Sequence, residues 1–271
     1  MRRKTHLVTV SIALTLTTAL PAFAQDDAPI VLPPITLTAN REATELDKTG
    51  SSVSIISEED LNGRAGEPLA ETLARLPGVT IRQSGPLGTT GSITVRGAPS
   101  HYLPVVIDGI EVSDAAAGQP AYDSGGLIGA DVARGELLRG AQSALYGSRA
   151  ISGVLTLQSL RPTEDGVHHN FTLEAGSYHS LLGSYGVTMR RDATDLAFTA
   201  SHIRTDGFSA ADENDGNFED DGYEASRISF YAAHELQDGA VIGLNGFWED
   251  STADFDDWGG DVIGSTGNDY T

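Results

Sequence analysis

The sequence predicts a small α+β domain followed by a region of antiparallel β-strands. Three observations lead to this fold class. Residues 1–24 have the pattern of a secretory signal, short helix and strand patterns are mixed over residues 41–159, and residues 160–271 contain strand patterns without any helix-length apolar period. By periodicity alone, the second region fits a transmembrane β-barrel and a secreted β-sandwich equally well.

The amino terminus predicts export. Residues 2–4 are basic, the run from Leu7 to Leu20 is apolar apart from Ser and Thr, and Ala22-Phe23-Ala24 supplies the small residues of a cleavage site. A membrane anchor is the alternative, but the run is shorter than the roughly 20 residues that a spanning helix needs. The mature chain is therefore expected to begin at Gln25.

The composition excludes several classes of function. The chain has 17 basic and 38 acidic residues, and removal of the signal, which has three basic residues and no acidic one, leaves a net charge of −24. Such a charge repels nucleic-acid phosphates, so no nucleic-acid partner is expected, and it favours cations. Cysteine is absent, which excludes disulfides, thiol catalysis and thiolate metal sites.

The acidic residues are concentrated towards the carboxyl end. Residues 192–271 hold 19 of the 38 carboxylates, and their only basic side chains are Arg204 and Arg227. This change in charge indicates a second region that differs from the α+β domain.

Residues 25–40 are interpreted as a mobile arm. Residues 26–34 are rich in Pro and Asp and are not expected to pack. The stretch ITLTAN, residues 35–40, alternates β-branched or apolar residues with polar ones, so it can join the edge of a sheet.

The helices of the α+β domain are predicted from capping and periodicity. VSII (53–56) favours a strand, and the acid three residues after Ser57 gives a capping box that begins a short helix. Residues 68–75 favour a second helix, which Pro77-Gly78 ends. Its apolar side chains share one face at Leu69, Leu73 and Leu76.

Strands complete this domain. VTIRQ (79–83) and SITVRG (92–97) have strand composition. VVIDGIEV (105–112) predicts a hairpin, because Asp108-Gly109 is a favoured two-residue turn.

Five stretches after residue 160 are predicted strands. They are FTLEAGSY (171–178), LLGSYGVTM (181–189), DLAFTASHI (195–203), ASRISFYAAH (225–234) and VIGLNGFW (241–248). Several alternate apolar with polar residues, as expected when one face meets lipid and the other meets water.

Six motifs occur in a fixed order along the chain. They are ITLTAN (35–40), ETLARLPGV (71–79), ITVRG (93–97), VVIDGIEV (105–112), ELLRG (136–140) and SALYGSRAISGVLTL (143–157). In this order and spacing they resemble the TonB-dependent outer-membrane receptors. One such motif is weak, whereas six in sequence are highly specific.

The resemblance implies a transporter of the Gram-negative outer membrane rather than an enzyme. It implies a plug domain at residues 41–159, lodged in a lipid-embedded barrel of 22 strands that residues 160–271 begin. The sequence is therefore expected to be the amino-terminal part of a longer receptor. The arm is implied to carry the TonB box, which adds as a strand to the periplasmic TonB protein. Its residues are Ile35, Thr36, Leu37, Thr38, Ala39 and Asn40.

Arginines of the plug are candidates for contacts with the barrel. A plug must fill the lumen and yet yield, so small residues and modest ion pairs suit its surface. Arg96 and Arg139, and also Arg149, are candidates to pair with barrel carboxylates, and plain solvation is the alternative. The chain departs from the family pattern at Gly135, Ala141, Arg149 and Ser152.

Two glycine-rich plug loops are the expected ligand-binding segments, residues 84–92 and 113–125. The candidate residues are Ser84, Gly85, Leu87, Thr89, Ser113, Ala117, Gln119 and Tyr122. The form of the box, the compact plug and the acidic loops are most similar to the cobalamin receptors of the family. Cobalamin is thus the expected ligand, with a ferric siderophore as the alternative.

Two acidic stretches suggest a calcium site, residues 210–224 and 249–258. Calcium takes six to eight hard oxygen ligands, which these side chains offer, although the spacing is not that of an EF-hand. The resemblance to cobalamin receptors implies four ligands, namely Asp212, Glu219, Asp221 and Asp256. Merely solvated acidic loops are the alternative.

Two other classes of function explain less of the sequence. A secreted calcium-binding adhesin explains the signal, the acid and the strands, but it leaves the six motifs unexplained. A hydrolase is less consistent, because the chain has no G-x-S-x-G or H-E-x-x-H motif, and the adjacent His168 and His169 cannot both face one metal from a regular strand.

Overall fold

The computed structural model describes residues 35–36, 38, 44–61, 64–113, 118–130, 132–210, 220–257 and 260–262. The predicted signal peptide and the Pro-rich part of the arm lie outside these residues. Within the described part of the chain, no helix is long and apolar enough to cross a membrane.

The first region is an α+β domain built on a five-stranded sheet. In spatial order its strands are β3 (Ser52–Ile56), β8 (Val132–Arg139), β9 (Gly153–Ser159), β6 (Val105–Ile107) and β7 (Ile110–Val112). β6 and β9 are parallel, and the other neighbours are antiparallel.

Smaller elements surround this sheet. Two further hairpins pair β1 (Ile35–Thr36) with β2 (Thr44–Glu45) and β4 (Val79–Gln83) with β5 (Gly91–Val95). The helices are α1 (Glu58–Leu61), α2 (Leu69–Ala74) and α3 (Ser143–Tyr146), and 3-10 turns lie at Leu46–Lys48 and Ser100–Tyr102.

The core lies between α2 and the sheets. Leu69 and Leu73 are fully buried, as the periodicity predicts, and they share a cluster with Ile56, Val95 and Leu155. Each buried leucine of this kind contributes about 1.5–3 kcal/mol relative to an exposed one. The helix ends near the predicted Pro-Gly stop.

Two local predictions are confirmed in detail. The backbone N–H and the hydroxyl of Ser57 donate to Asp60 Oδ2 at 2.8 and 2.7 Å, which caps α1. Asp108 and Gly109 both have positive φ, 51° and 88°, and they form the two-residue turn between β6 and β7. Asp and Gly tolerate this conformation, which most residues do not.

The second region is an antiparallel sheet with strands in chain order. Its members are β10 (Gly166–Ala175), β11 (Leu181–Arg191), β12 (Thr194–Thr205), β13 (Tyr223–Glu235) and β14 (Val241–Ala253). A short hairpin follows, β15 (Phe255–Asp257) with β16 (Gly260–Val262). All five predicted strands exist, but β10 begins five residues earlier than predicted and ends at Ala175 instead of Tyr178.

The two faces of this sheet favour the barrel over the sandwich. One register row aligns Phe171, Tyr185, Ala200, Ile228 and Trp248 across the five strands, and its four large side chains are exposed. The buried face instead carries hydroxyl side chains, among them Ser184, Thr199, Ser201 and Ser229. A sandwich would bury the apolar face, whereas a lipid-facing sheet exposes it. The predicted fold class is confirmed.

Candidate functional site

The α+β domain packs against the polar face of the second sheet and leaves a cavity at each end of β13. Tyr223, at the start of β13, lines a cavity of about 280 Å³, which we name the loop cavity. Tyr231 lines a cavity of about 740 Å³, which we name the box cavity. The two tyrosines are eight residues apart on one strand, a distance of about 27 Å.

Loops 84–90 and 122–127 form the α+β side of the loop cavity. Asp123 holds them together, because its Oδ1 accepts the backbone N–H groups of Gly91 at 2.8 Å and Gly125 at 3.0 Å. Gly88 N–H donates to the Gly125 carbonyl at 2.9 Å. A Cβ on Gly125 would lie 1.7 Å from the carbonyl oxygen of Thr89, so only glycine fits there.

The second sheet contributes an aromatic side chain, that of Tyr223, to the same cavity. The Tyr223 side chain is buried, and its hydroxyl donates to the carbonyl of Gly126 at 3.2 Å. A Cβ on Gly88 would lie 2.3 Å from the Tyr223 ring, and one on Gly126 would lie 2.5 Å from its hydroxyl. Glycines at both positions therefore allow β13 to dock directly on the two loops.

The lining of the loop cavity is polar, aromatic and acidic. It is formed by Ser84, Gly88, Thr89, Thr90, Tyr122, Asp123, Gly126, Leu127, Tyr223, Glu249, Ser251, Ala253 and Phe255. Two carboxylates are present, and no lysine or arginine belongs to this described lining. Glu249 is also engaged with Arg227, whose Nη1 lies 2.9 Å from Glu249 Oε2.

Three of the eight predicted ligand residues line this cavity, namely Ser84, Thr89 and Tyr122. Gly85 and Leu87 lie in the same loop but pack inward, Gly85 against Thr89 and Ala210.

The other three predicted ligand residues belong to the following loop. Ser113 accepts hydrogen bonds from Arg149, Gln119 is exposed, and Ala117 lies outside the described residues. The predicted ligand-binding role of all eight stays a prediction.

Sequence reasoning missed Asp123, Tyr223 and Glu249. Asp123 lies within a predicted loop, but its role depends on backbone N–H groups that the sequence does not bring together. Tyr223 and Glu249 are two of the residues that alternate onto the buried face of β13 and β14. The alternation of side chains along β13 and β14 could predict that Tyr223 and Glu249 share a face. It could not predict that the plug loops lie against that face.

At the box cavity, Glu136 of β8 holds the predicted TonB box. Its Oε2 accepts the Thr36 hydroxyl at 2.6 Å and the Thr38 backbone N–H at 3.0 Å. The Thr38 hydroxyl meets that of Thr156 at 2.6 Å, and the Tyr146 hydroxyl donates to the Thr38 carbonyl at 2.7 Å. Thr36 and Thr38 are accordingly buried.

Electrostatics keep Glu136 ionised in this position. Burial alone would raise the pKa of its carboxyl, but hydrogen bonds from Thr36, Thr38 and Arg134 outweigh burial and lower the pKa below its usual value. Arg134 Nε lies 2.8 Å from Glu136 Oε1, and Arg134 also donates to the Ile35 carbonyl. Leu37, Ala39 and Asn40 lie outside the described residues.

The candidate plug arginines lie within the α+β domain. Arg139 is buried and donates to the Pro77 carbonyl and the Ser54 hydroxyl, both at 2.9 Å. Burial, with Arg96 nearby, lowers the pKa of Arg139. Arg149 pairs with Glu111 of the same domain. Pairing of Arg96 and Arg139 with barrel carboxylates stays a prediction.

The described contacts between the two regions use other groups. Glu174 of β10 accepts the backbone N–H groups of Ala65 at 3.1 Å and Gly66 at 2.9 Å. Asp108 contacts β14, where Asn245 Nδ2 donates to its carbonyl at 2.7 Å. Here the barrel carboxylate is bound by main-chain donors rather than by an arginine.

The predicted calcium ligands are only partly within the described chain. Asp212, Glu219 and the side chain of Asp256 lie outside it. Asp221 is buried, and its Oδ2 accepts the Ala210 N–H at 2.7 Å. Among the residues that the structure describes, no group of three or more His, Cys, Asp or Glu side chains is arranged to hold a metal.

Comparisons with known proteins agree with this architecture. A family model described as "TonB-dependent Receptor Plug Domain" matches residues 45–154. The "Vitamin B12 transporter BtuB" of Photobacterium profundum is 32% identical over 231 residues, which cover 82% of this chain and 36% of that protein. The protein of the same description from Vibrio vulnificus is 27% identical over 223 residues, again 82% and 36%.

Solved structures share the fold. The pyoverdine outer membrane receptor FpvA from Pseudomonas aeruginosa PAO1 has a TM-score of 0.64 at 16% identity, covering 84% of this chain and 32% of that chain. The copper transporter OprC has a TM-score of 0.59 at 18% identity, covering 74% and 30%. The chain spans about a third of the length of the relatives it matches. It belongs to the TonB-dependent receptors of the Gram-negative outer membrane, and it carries their plug domain and adjoining strands.

Proposed function

We propose that this chain is part of a receptor that imports cobalamin across the outer membrane, with energy supplied through the TonB protein. The observation that carries the proposal is the acidic, hydroxyl-rich and aromatic lining of the loop cavity. Similarity to vitamin B12 transporters at 27% to 35% identity supports the same ligand.

The charge of the cavity favours cobalamin over the alternative ligand. The corrin ring is edged by amide side chains whose N–H groups donate hydrogen bonds, and carboxylates and hydroxyls accept them. Asp123 and Glu249 are such acceptors, and the aromatic rings of Tyr122 and Phe255 offer apolar area beside them. A ferric catecholate siderophore is an anion, which the Asp123 carboxylate would repel, whereas Arg227 balances the charge of Glu249.

Coupling would use the box that Glu136 holds. Addition of a strand to TonB needs free backbone N–H and C=O groups. The N–H and carbonyl of Thr38 are both engaged at the plug, by Glu136 and Tyr146. The box must therefore leave Glu136 before TonB can pair with it.

The decisive experiment is a titration of the purified receptor with cyanocobalamin. We expect saturable binding, with Glu249→Gln weakening it about tenfold through loss of a charged acceptor. Glu164→Gln, an exposed position outside the loop cavity, is the matched control. Absence of saturable binding, together with binding of a ferric catecholate, would transfer the proposal to siderophores.

The TonB step has its own test. Leu37→Pro removes a main-chain donor from the box, so uptake should be lost while cyanocobalamin still binds at the cell surface. Leu37→Val is the control, because strand addition depends on the main chain. Normal uptake by the proline variant would contradict the assignment of the box.

We also propose that the acidic loops around Asp221 bind a calcium ion. Its carboxylate is a hard oxygen donor of the kind calcium prefers. Its Oδ2 accepts the Ala210 N–H, and Ala210 packs against Gly85 of the plug loop 84–90. Bound calcium would fix the segment that carries Asp221 and thereby favour the ligand-binding state.

A further inference from the structure

The turn between β6 and β7 joins three parts of the molecule. Asp108 Oδ1 accepts Arg161 Nη2 at 2.6 Å, from the segment that links the plug to β10. The same oxygen accepts the backbone N–H of Ser159, the last residue of β9, at 3.0 Å. The Asp108 carbonyl accepts Asn245 of β14 at 2.7 Å.

Arg161 extends this set of Asp108 contacts, which we name the junction, to a second barrel strand. Its guanidinium carbon lies 3.9 Å from the centre of the Tyr231 ring on β13, a cation–π contact. Its Nη1 donates to the Ser159 hydroxyl at 2.8 Å. The ion pair thus connects the β6–β7 hairpin with the end of β9 and with β13, and the Asp108 carbonyl adds the contact with β14.

The ion pair is buried on one side. The Asp108 side chain is fully buried, and that of Arg161 is 17% exposed. Asp108 Oδ2 is buried without a hydrogen-bond partner among the described residues, so the charge depends on Arg161 and Ser159. Removal of one partner of such a pair leaves an uncompensated charge, which is strongly destabilising.

The hydrogen bonds by which Glu136 holds the box, which we name the latch, border the same cavity as the junction but come from a different strand. The box cavity is lined by Thr38 and Glu136 and also by Asp108, Arg161 and Tyr231. Glu136 lies on β8 and Asp108 follows β6, and β9 separates these two strands in the sheet. The latch holds the box by hydrogen bonds, whereas the junction holds the hairpin by a buried ion pair and a barrel contact.

We propose that the Asp108–Arg161 pair is the fixed joint of the plug: it keeps the β6–β7 hairpin on β13 and β14 while the box side of the same cavity opens. The opening step rests on the proposed coupling to TonB. The seating of the hairpin does not, so the two can fail separately. Asp108 and Arg161 are positioning residues, since they act on the plug and not on a ligand.

The seating of the β6–β7 hairpin on β13 and β14 can be tested without any ligand. The measurement is the rate at which cells take up a large antibiotic that an intact outer membrane excludes. Asp108→Asn keeps the size of the side chain and suits positive φ, and it removes only the charge. We expect this variant and Arg161→Gln each to raise antibiotic entry about tenfold or more, because each leaves one buried charge unpaired. A variant with both changes should leak less than either single one.

The matched control is Asp195→Asn. Asp195 borders the same cavity and accepts Arg190 at 2.8 and 2.7 Å, in a pair between the neighbouring strands β11 and β12. Arg190 also donates to the Pro162 carbonyl of the linking segment at 2.9 Å, so only its acidic partner is changed. Asp195→Asn should leave antibiotic entry at the wild-type level. Equal entry in the joint and control variants would overturn the proposal. If the joint variants fail to fold, Asn245→Ala removes the bond from β14 to the Asp108 carbonyl of the same hairpin without altering a charge, and it should leak while wild type does not.

The fixed character of the joint is tested by labelling cysteines during energised uptake. Residues 1–271 contain no cysteine, so each introduced thiol reports one position in this part of the receptor. Val112→Cys, buried on β7, should stay protected, whereas Ile35→Cys in the box should react faster when uptake is active. Labelling of Val112→Cys only during uptake would show that the hairpin detaches, and it would contradict the joint.

Discussion

Thr36 and Glu136 are 100 residues apart in sequence, yet the Thr36 hydroxyl donates to Glu136 Oε2 at 2.6 Å in a buried contact. Glu136 also accepts the N–H of Thr38, so a single carboxylate holds alternate residues of the box. The strength of this contact should set how often the box is free for TonB.

The first prediction concerns the charge of this latch. Glu136→Gln keeps the shape but weakens hydrogen bonds that are charge-assisted, each worth about 1.5–3 kcal/mol. The fraction of undocked box should rise about tenfold or more. A spin label at Ile35→Cys measures this as a gain of mobility. Glu59→Gln, which changes an exposed carboxylate of α1 outside the lining of the box cavity, is the control. An unchanged spectrum would contradict the latch.

The second prediction is a pH dependence. The pKa of Glu136 is lowered while the box is docked, so docking binds no extra proton at neutral pH and is fully favoured above the ordinary glutamate pKa of about 4.3. As pH falls through the lower pKa of the docked state, protonation removes this contribution. The spin label should therefore stay immobile from pH 7 to about pH 5 and become more mobile only as the pH falls below about 4.3. The Glu136→Gln variant should show a much flatter profile, and the same slope in both would exclude Glu136 as its source.

The latch shows how far the sequence could predict the molecule. Local signals were sufficient for α2, for the Asp108-Gly109 turn and for the five alternating strands, because each depends on residues near in sequence. They could not show that Glu136 meets Thr36, since that contact depends on the order of strands in the sheet. In the same way, Asp123 and Tyr223 became candidates only when β13 lay against the two plug loops.

The third prediction tests the close packing of those loops. Gly125→Ala places a Cβ 1.7 Å from the Thr89 carbonyl oxygen, so the loops must separate, at a cost of about 1–3 kcal/mol. Ligand affinity should fall about tenfold while the amount of folded receptor changes little. Gly118→Ala is the matched control, because its Cβ would meet no atom of the described residues within 4 Å. Equal affinities in calorimetric titrations of the two variants would show that the loop geometry is irrelevant to binding.

The fourth prediction concerns calcium. If Asp221 is a calcium ligand, chelation should weaken cyanocobalamin binding by the 5- to 150-fold that is typical of coupled sites, about tenfold at the centre of that range. Asp221→Asn with Asp256→Asn should abolish this difference. Asp206→Asn is the control, because Asp206 is half-exposed and pairs with His179. Titrations with calcium and with chelator decide the matter, and equal affinities in the unmutated receptor would refute a calcium site.

The fifth prediction concerns a disulfide that would hold the box on the plug. The hydroxyls of Thr38 and Thr156 lie 2.6 Å apart, and each oxygen is bonded directly to its Cβ, which puts the two Cβ atoms near the spacing of a disulfide. The variant with Thr38→Cys and Thr156→Cys should therefore oxidise readily, and residues 1–271 contain no other cysteine. Because Thr38 cannot then leave the plug, ligand should still bind at the cell surface while uptake falls to background.

Reduction should restore uptake within the same cells, which separates the lock from misfolding. Each single cysteine variant is the control and should transport normally with or without reductant. Labelling with a thiol reagent after denaturation reports the oxidised fraction, so uptake can be compared with the extent of locking. Undiminished uptake by fully oxidised receptor would mean that the box need not leave Thr156, and TonB would then have to act on another segment of the chain.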